Sequence, residues 1–260
     1  MVTESIDVCH VGSPKVAQTL AVLLTRANEF VSSETLISEL WEDAPPRSAL
    51  NTVQTYIHHA RRILASHSDD REPAPLLATR SGGYLLQVAD ENVDYKLFEI
   101  LVARGAQALR AGEYEDASGH LSRAVALWHG RALSNIPTGP VLKSLIVHLD
   151  DRRIQALEMR IEARCALGQH RDSIPELRGL VHDYPLHEGF HSQLINSLHQ
   201  TGRRAEALEA YRHVRSLLRD ELGLEPSVLI RRAHERVLSS DGLSGHPAGS
   251  TARSPDAGGK

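Results

Sequence analysis

The stretch from Phe30 to Val88 constrains the fold more than any other part of the chain, because it sets two capped helices ahead of a glycine-tipped hairpin. A serine at 32 or 33 opens the first helix, Glu34 to Trp41, which has to end before Pro45-Pro46, where the ring removes the amide hydrogen a helix needs. Ser48 caps the second, Ala49 to Leu64. After a polar loop, Leu76-Leu77-Ala78-Thr79-Arg80 and Tyr84-Leu85-Leu86-Gln87-Val88 flank Ser81-Gly82-Gly83, which reads as strand, tight turn and strand.

The second helix has two contrasting faces. At about 100° per residue, Val53, Ile57, Ala60 and Leu64 form an apolar stripe with Leu50 beside it, and this stripe packs on the domain. Thr55 and Arg62 centre the opposite side, with Ser48, Asn51, His58 and His59 around them and Thr52 and Gln54 on the flanks. A polar helix face is usually no more than solvated. Here, however, the window from Ala44 to Ser68 holds neither a carboxylate nor a lysine, while Arg47, Arg61 and Arg62 are present. Helix, turn, helix and β-wing is the layout of a winged-helix DNA-binding domain. In a major groove, Asn and Gln pair with adenine, Arg with guanine, and a Thr methyl touches thymine. Arg80, beside the hairpin tip, is expected at phosphate or in the minor groove. The expected DNA-contacting set is Arg47, Ser48, Asn51, Thr52, Thr55, His58, His59, Arg62 and Arg80.

Net charge does not advertise nucleic acid. The 260 residues carry −4, and Met1 to Asn92 alone holds 7 Lys+Arg against 12 Asp+Glu. Local charge matters more here, because the field at the groove decides contact while the total mainly sets solubility and steering. Glu34, Glu39, Glu42 and Asp43 are accordingly expected on a different surface from the basic one. Two cysteines, Cys9 and Cys165, make neither a disulfide framework nor a metal cluster. With no apolar run long enough for a membrane span and no signal-peptide pattern, the expected location is the cytoplasm, with reduced thiols.

From Asp94 to about Ser239 the pattern is helical and repeats. Gly112-Glu113-Tyr114-Glu115-Asp116-Ala117, Gly168-Gln169-His170-Arg171-Asp172-Ser173 and Gly202-Arg203-Arg204-Ala205-Glu206-Ala207 each turn at glycine and open a helix with an acidic residue followed by a small one. The last two glycines are 34 residues apart, the tetratricopeptide period, and the first stands 56 before the second, one period plus a 22-residue insertion around Trp128 to Pro140. Each unit buries its apolar face against its neighbours, and the small residue lets paired helices approach. Peptide binding and a purely structural or dimerising role both stay open for this module. The expected organisation is a winged helix over 1–92, the helical module over 93–240, and a disordered Gly/Ser/Pro tail over 241–260.

His187-Glu188-Gly189-Phe190-His191 fits H-E-x-x-H, the pairing that places two zinc ligands and a general base on one helix face. Five-residue matches arise easily among 15 histidines, and this one opens its helix after Tyr184-Pro185 with an internal glycine and no evident third ligand. His191 is expected to be packed and His187 to lie at the surface. No phosphate-cradling loop, nucleophile elbow or carboxylate pair appears elsewhere, so neither catalytic residues nor a metal or cofactor are expected. A zinc hydrolase on His187, Glu188 and His191 is the rival reading, and an interaction scaffold without DNA binding is a third.

Several long motifs occur in one order: Ser48-Ala49-Leu50-Asn51-Thr52-Val53-Gln54-Thr55-Tyr56, Thr79-Arg80-Ser81-Gly82-Gly83-Tyr84-Leu85-Leu86, Tyr184-Pro185-Leu186-His187-Glu188-Gly189-Phe190-His191, Gly202 to Tyr211, and Asp220-Glu221-Leu222-Gly223-Leu224-Glu225-Pro226. From about Val11 to Leu238 the chain resembles the actinobacterial (Streptomyces) antibiotic regulatory proteins, the small pathway-specific activators above all. The resemblance implies an OmpR-type winged helix followed by a bacterial transcriptional activation domain. It also implies an activator that binds promoter direct repeats of double-stranded DNA near the −35 element as a side-by-side dimer and recruits RNA polymerase holoenzyme through contacts including the sigma factor. By position, Asn51 to Arg62 would be the recognition helix, Arg80 the wing, and Trp41 to Ser48 a polymerase-facing turn. Members of this family usually carry a small β-sheet before the first helix, which here begins at Ser13-Pro14; Met1 to Gly12 leaves room for one strand, Ile6 to Val11.

Overall fold

The computed structural model describes residues 13–66 and 76–239. The expected strand Ile6 to Val11 and the tail 241–260 lie outside the described residues. Two compact units make up the chain, Met1–Ala163 and Arg164–Lys260.

The first unit opens with α1 (Pro14–Thr25), whose proline sits at the first helical position, where the missing amide hydrogen costs nothing. β1 (Phe30–Ser32) runs directly into α2 (Ser33–Trp41), and Ser32 serves both: its Oγ caps the helix by accepting the Thr35 amide at 3.0 Å. α3 (Ala49–Ser66) follows, then β2 (Leu76–Arg80) and β3 (Gly83–Gln87). The three strands form an antiparallel sheet in the order β1-β3-β2, with Ser32 opposite Gly83 on one side and Arg80 opposite Gly83 on the other. Gly83 has to lack a side chain, since a Cβ there would run into the Val31 carbonyl and the Phe30 ring. The hairpin matches its sequence expectation. β1 does not appear in that reading, because three residues are too few for alternation to show.

Val53, Ile57 and Ala60 are buried and Leu64 is half-buried, as the stripe requires, but Leu50 is 50% exposed. Ala49, four residues before Val53, is buried in its place, so the buried stripe begins at 49 and not at 50. The winged-helix core gathers Val16, Leu20, Leu23, Leu36, Leu40, Val53, Ile57, Leu77, Tyr84 and Leu86. Leu142, fully buried, completes it, and Leu133 and Ile136 pack on its edge. The residues that look like an insertion in the repeat pattern thus serve the winged helix.

A short 3-10 turn at Asp90–Asn92 leads to α4 (Asp94–Ala111), α5 (Tyr114–Ala126) and α6 (Pro140–Ala166). Phe98, Leu101, Val102, Leu121, Leu149 and Ala156 form a separate core there, with Trp128 set edge-on to Phe98 at 5.4 Å. In the second unit α7 (His170–Asp183), α8 (Glu188–Gln200), α9 (Arg204–Leu222) and α10 (Val228–Ser239) bury Leu177, Phe190, Ile195, Leu198, Val214, Leu218 and Ile230.

The three glycine turns share one geometry. Gly112, Gly168 and Gly202 have φ of 78°, 77° and 77°, the left-handed region that side chains disfavour. In each, the amide after glycine reaches back to close the preceding helix: Glu113 to the Ala108 carbonyl, Gln169 to Arg164 and Arg203 to Leu198, each at 2.9 Å. Ala117, Ser173 and Ala207, five residues beyond each glycine, are fully buried. The fold is therefore a small winged helix followed by tetratricopeptide-like helices, as expected.

Candidate nucleic-acid interface

α3 presents its polar side outward. Arg47 and Ser48 just ahead of it, and Asn51, Gln54, Thr55, His58, His59 and Arg62 along it, are exposed, while Thr52 is half-buried. Thr52 and Thr55 each donate their hydroxyl to the helix backbone, to the Ser48 and Asn51 carbonyls at 3.0 and 3.1 Å. These bonds hold both rotamers and leave methyl groups and oxygen lone pairs available. Ser48 to Arg62 spans roughly 21 Å at ~1.5 Å per residue, enough to run along a groove about 12 Å wide. Arg80 is exposed at the end of β2, beside the turn of the wing.

Several arginines elsewhere are committed to carboxylates: Arg152 to Glu99, Arg164 to Glu176, Arg178 and Arg203 to Glu206, Arg215 to Glu225. The side chains of Arg47, Arg62 and Arg80 have no hydrogen bond or ion pair with any described residue. Three exposed guanidinium groups, one just ahead of α3, one on it and one on the wing, with no anion paired to them among the described residues, make a surface that attracts phosphate.

The neighbouring Arg61 has a different task. Its Nε donates to the Leu77 carbonyl at 2.9 Å and its Nη2 to the Thr79 hydroxyl at 2.8 Å. Arg61 therefore ties α3 to the first strand of the wing and fixes the spacing between the two elements of the candidate interface. Sequence reading noted only its charge. Its place beside the apolar stripe, between Ile57 and Leu64, was the available signal.

Behind α3, α2 is held from two directions. Trp41 stacks on Tyr56 with ring centroids 6.4 Å apart, and Lys15 of α1 donates to the Leu40 carbonyl. Glu39, expected on an outer surface, is only 1% exposed. Its carboxylate accepts the Gly139 amide at 2.6 Å and the Val141 amide at 2.7 Å, and Gln18 donates to its backbone carbonyl at 2.8 Å. A charge pattern reads Glu39 as solvated because its partners are backbone amides a hundred residues away. At the end of α2, Glu42 pairs with Lys143 at 2.9 Å; the Lys143 ammonium lowers the Glu42 carboxyl pKa and is itself raised in return. The α1–β1 turn is fastened similarly, with the Tyr95 hydroxyl donating to the Thr25 carbonyl at 2.7 Å and its pKa pushed up to about 12 by burial.

This geometry coincides with two sequence families. Residues 10–86 match the family described as transcriptional regulatory protein, C terminal, and residues 93–238 match the bacterial transcriptional activator domain. The chain belongs to the Streptomyces antibiotic regulatory protein family. The regulatory protein DnrI of Streptomyces peucetius is 37% identical over 232 residues, covering 87% of this chain and 85% of DnrI. The transcriptional regulator RedD of Streptomyces coelicolor is 36% identical, covering 91% of this chain and 69% of RedD. Among solved structures, Mycobacterium tuberculosis EmbR in complex with a low-affinity phosphopeptide superposes with a TM-score of 0.83 at 31% identity, over 89% of this chain and 61% of that one. Membership in this family makes the chain a transcriptional regulator of the activator type and not an enzyme.

The H-E-x-x-H segment has structural work in this family member. His187 precedes α8 and lies against the Phe190 ring at 4.5 Å. Glu188 accepts the Ser227 amide at 2.7 Å, pinning the start of α10. His191 is 2% exposed with its Nε2 2.8 Å from the Pro185 carbonyl, and burial lowers its pKa. Among the described residues no helix is long and apolar enough to cross a membrane.

Proposed function

We propose that this regulator is a sequence-specific activator of a secondary-metabolite gene cluster that reads promoter DNA with α3 and the β2–β3 wing. The observation that carries this reading is the acid-free outer face of α3, with Arg47 and Arg62 unpaired and Arg80 on the wing beside it. Asn51, Thr52, Thr55 and Arg62 meet base edges in the major groove, with the half-exposed Leu50 and the histidines at the groove wall. Arg47, Ser48 and Arg80 hold phosphates. Residues 1–92 bind DNA, 93–240 form the activation module, and 241–260 are a tail. Two copies sit side by side on direct repeats near the −35 element and bring RNA polymerase holoenzyme, sigma factor included, to the promoter. The protein does this in the cytoplasm, without cofactor or metal.

Footprinting on the promoters of its own genomic neighbourhood tests the reading. Protected direct repeats about one helical turn apart are expected, and lengthening the spacer by about half of a ~10.5 bp turn should abolish cooperativity by placing the copies on opposite faces. No protection on any of those promoters, or unchanged cooperative binding after the insertion, would refute the side-by-side assignment.

A further inference from the structure

Glu39 poses a problem of its own. A carboxylate taken out of water is costly unless its oxygens are satisfied. Glu39 belongs to α2, the first helix of the helix-turn-helix, yet its satisfaction comes from the start of α6, in the activation module. The Gly139 and Val141 amides donate at 2.6 and 2.7 Å, with the Leu142 amide at 3.5 Å beside them. The first turn of α6 has no acidic residue of its own, so the positive end of that helix finds its counter-charge in Glu39. Contact is close enough that Gly139 cannot carry a side chain: a Cβ would strike the Glu39 backbone carbonyl. One residue past Val141, Leu142 enters the winged-helix core, and one further on Lys143 pairs with Glu42. Segment 139–143 therefore grips α2 at 39 and just past its end at 42. In turn, α2 sets α3, because Leu36 and Leu40 share a core with Val53 and Ile57 and Trp41 stacks on Tyr56.

We propose that Glu39 is a positioning residue for DNA reading: by clasping the first amides of α6 it fixes the angle of α3, so that operator affinity depends on a helix that touches no DNA. The proposal rests on the DNA-binding reading above, and the coupling it describes is reciprocal, so operator binding should also tighten the clasp.

The test uses the full chain with Glu39→Gln and Gly139→Ala, which attack the clasp from its two sides. Gln keeps the shape of Glu but can place an NH2 donor where the α6 amides donate. Affinity is measured per active molecule by titration, on operator and on random DNA, with hydrogen exchange followed at α3, Val141 and Leu142. Each variant should bind operator about tenfold more weakly with a reduced preference over random DNA, and α3 amides should exchange faster. The double variant should be no worse than the weaker single one, because both remove one unit. In the wild type, operator should slow exchange at Val141 and Leu142. Lys143→Ala, an exposed change that spares the core, should show the same direction at a few-fold loss and stands in if the buried variants do not fold. Variants that lose melting temperature alone, with affinity per active molecule, preference and α3 exchange at wild-type values, would reduce Glu39 to a stability role. Wild-type protein with no operator preference would instead sink the DNA reading, and the exchange data would still decide whether Glu39 sets α3.

Discussion

Leu142→Ala should destabilise the DNA-reading domain although residue 142 lies in the activation module. Leu142 is 0% exposed and belongs to the same core as Leu36, Val53, Ile57 and Leu86. Truncating a fully buried leucine to alanine costs the transfer energy of the lost groups plus the cavity, about 3 kcal/mol within the observed span of ~2.7–5. With a urea dependence of about 2 kcal/mol per molar, the midpoint should fall by about 1.5 M. The chain has two tryptophans, one beside each core: Trp41 packs on the winged-helix cluster and Trp128 on the α4–α6 cluster. In a Trp128→Phe background, fluorescence reports Trp41 alone. A Trp41 transition whose midpoint does not move on Leu142→Ala would show that the winged helix completes its core without α6, and the packing argument would be wrong.

Other consequences concern individual side chains. Arg62→Ala should cut the preference for operator over random DNA by about ten- to a hundredfold, whereas Arg80→Ala should weaken both alike and reduce the salt slope by about one unit; competition binding over a salt series separates them, and an unchanged preference in Arg62→Ala removes its base contact. Arg61→Ala should behave like neither, loosening the wing so that exchange at the Leu77 and Thr79 amides rises while the base preference of α3 is kept; unchanged exchange there would mean the Arg61 bonds do not hold the wing. His191 has a lowered pKa in the folded state, so the unfolded chain binds more protons just below its ordinary pKa of about 6.5, and stability is lost as pH falls from there through the lowered folded value. Urea midpoints of wild type and His191→Gln at pH 7.5 and 5 check this, and an equal acid loss in both would clear His191 of the effect.

What the sequence disclosed and what it hid follow from the range of the contacts involved. The stripe of Val53, Ile57 and Ala60 is written at helical spacing within one segment, and the three glycine turns repeat a local conformation that only glycine adopts cheaply, so both were legible. The hairpin was legible for the same reason. Glu39 was not: a glutamate on a polar-looking helix reads as solvated, and nothing near it in sequence announces the amides of 139 and 141. Leu142 shows the same limit for apolar residues, since periodicity assigns a residue to a buried face without saying which core receives it. Leu50 marks a third, because Ala49 and Leu50 both fall at the edge of the stripe and the period alone does not say which of the two packs. At the candidate interface, all nine expected contact residues are at least partly accessible, but Arg61, a neighbour of the same type, turned inward to the wing.

Leu142 also orders events during synthesis. When Gln87 has been added and the last wing strand exists, the leucine that closes the winged-helix core is still 55 residues from being made. At ~5–20 residues per second that is a wait of roughly 3–11 s, during which α3 has its sequence but not its full support. A nascent chain, or one cut short before α6, therefore carries the reading helix without the part that seals the core behind it. Such a fragment should hold its winged helix more loosely than the full chain, and the core should tighten once residues 139–143 are made.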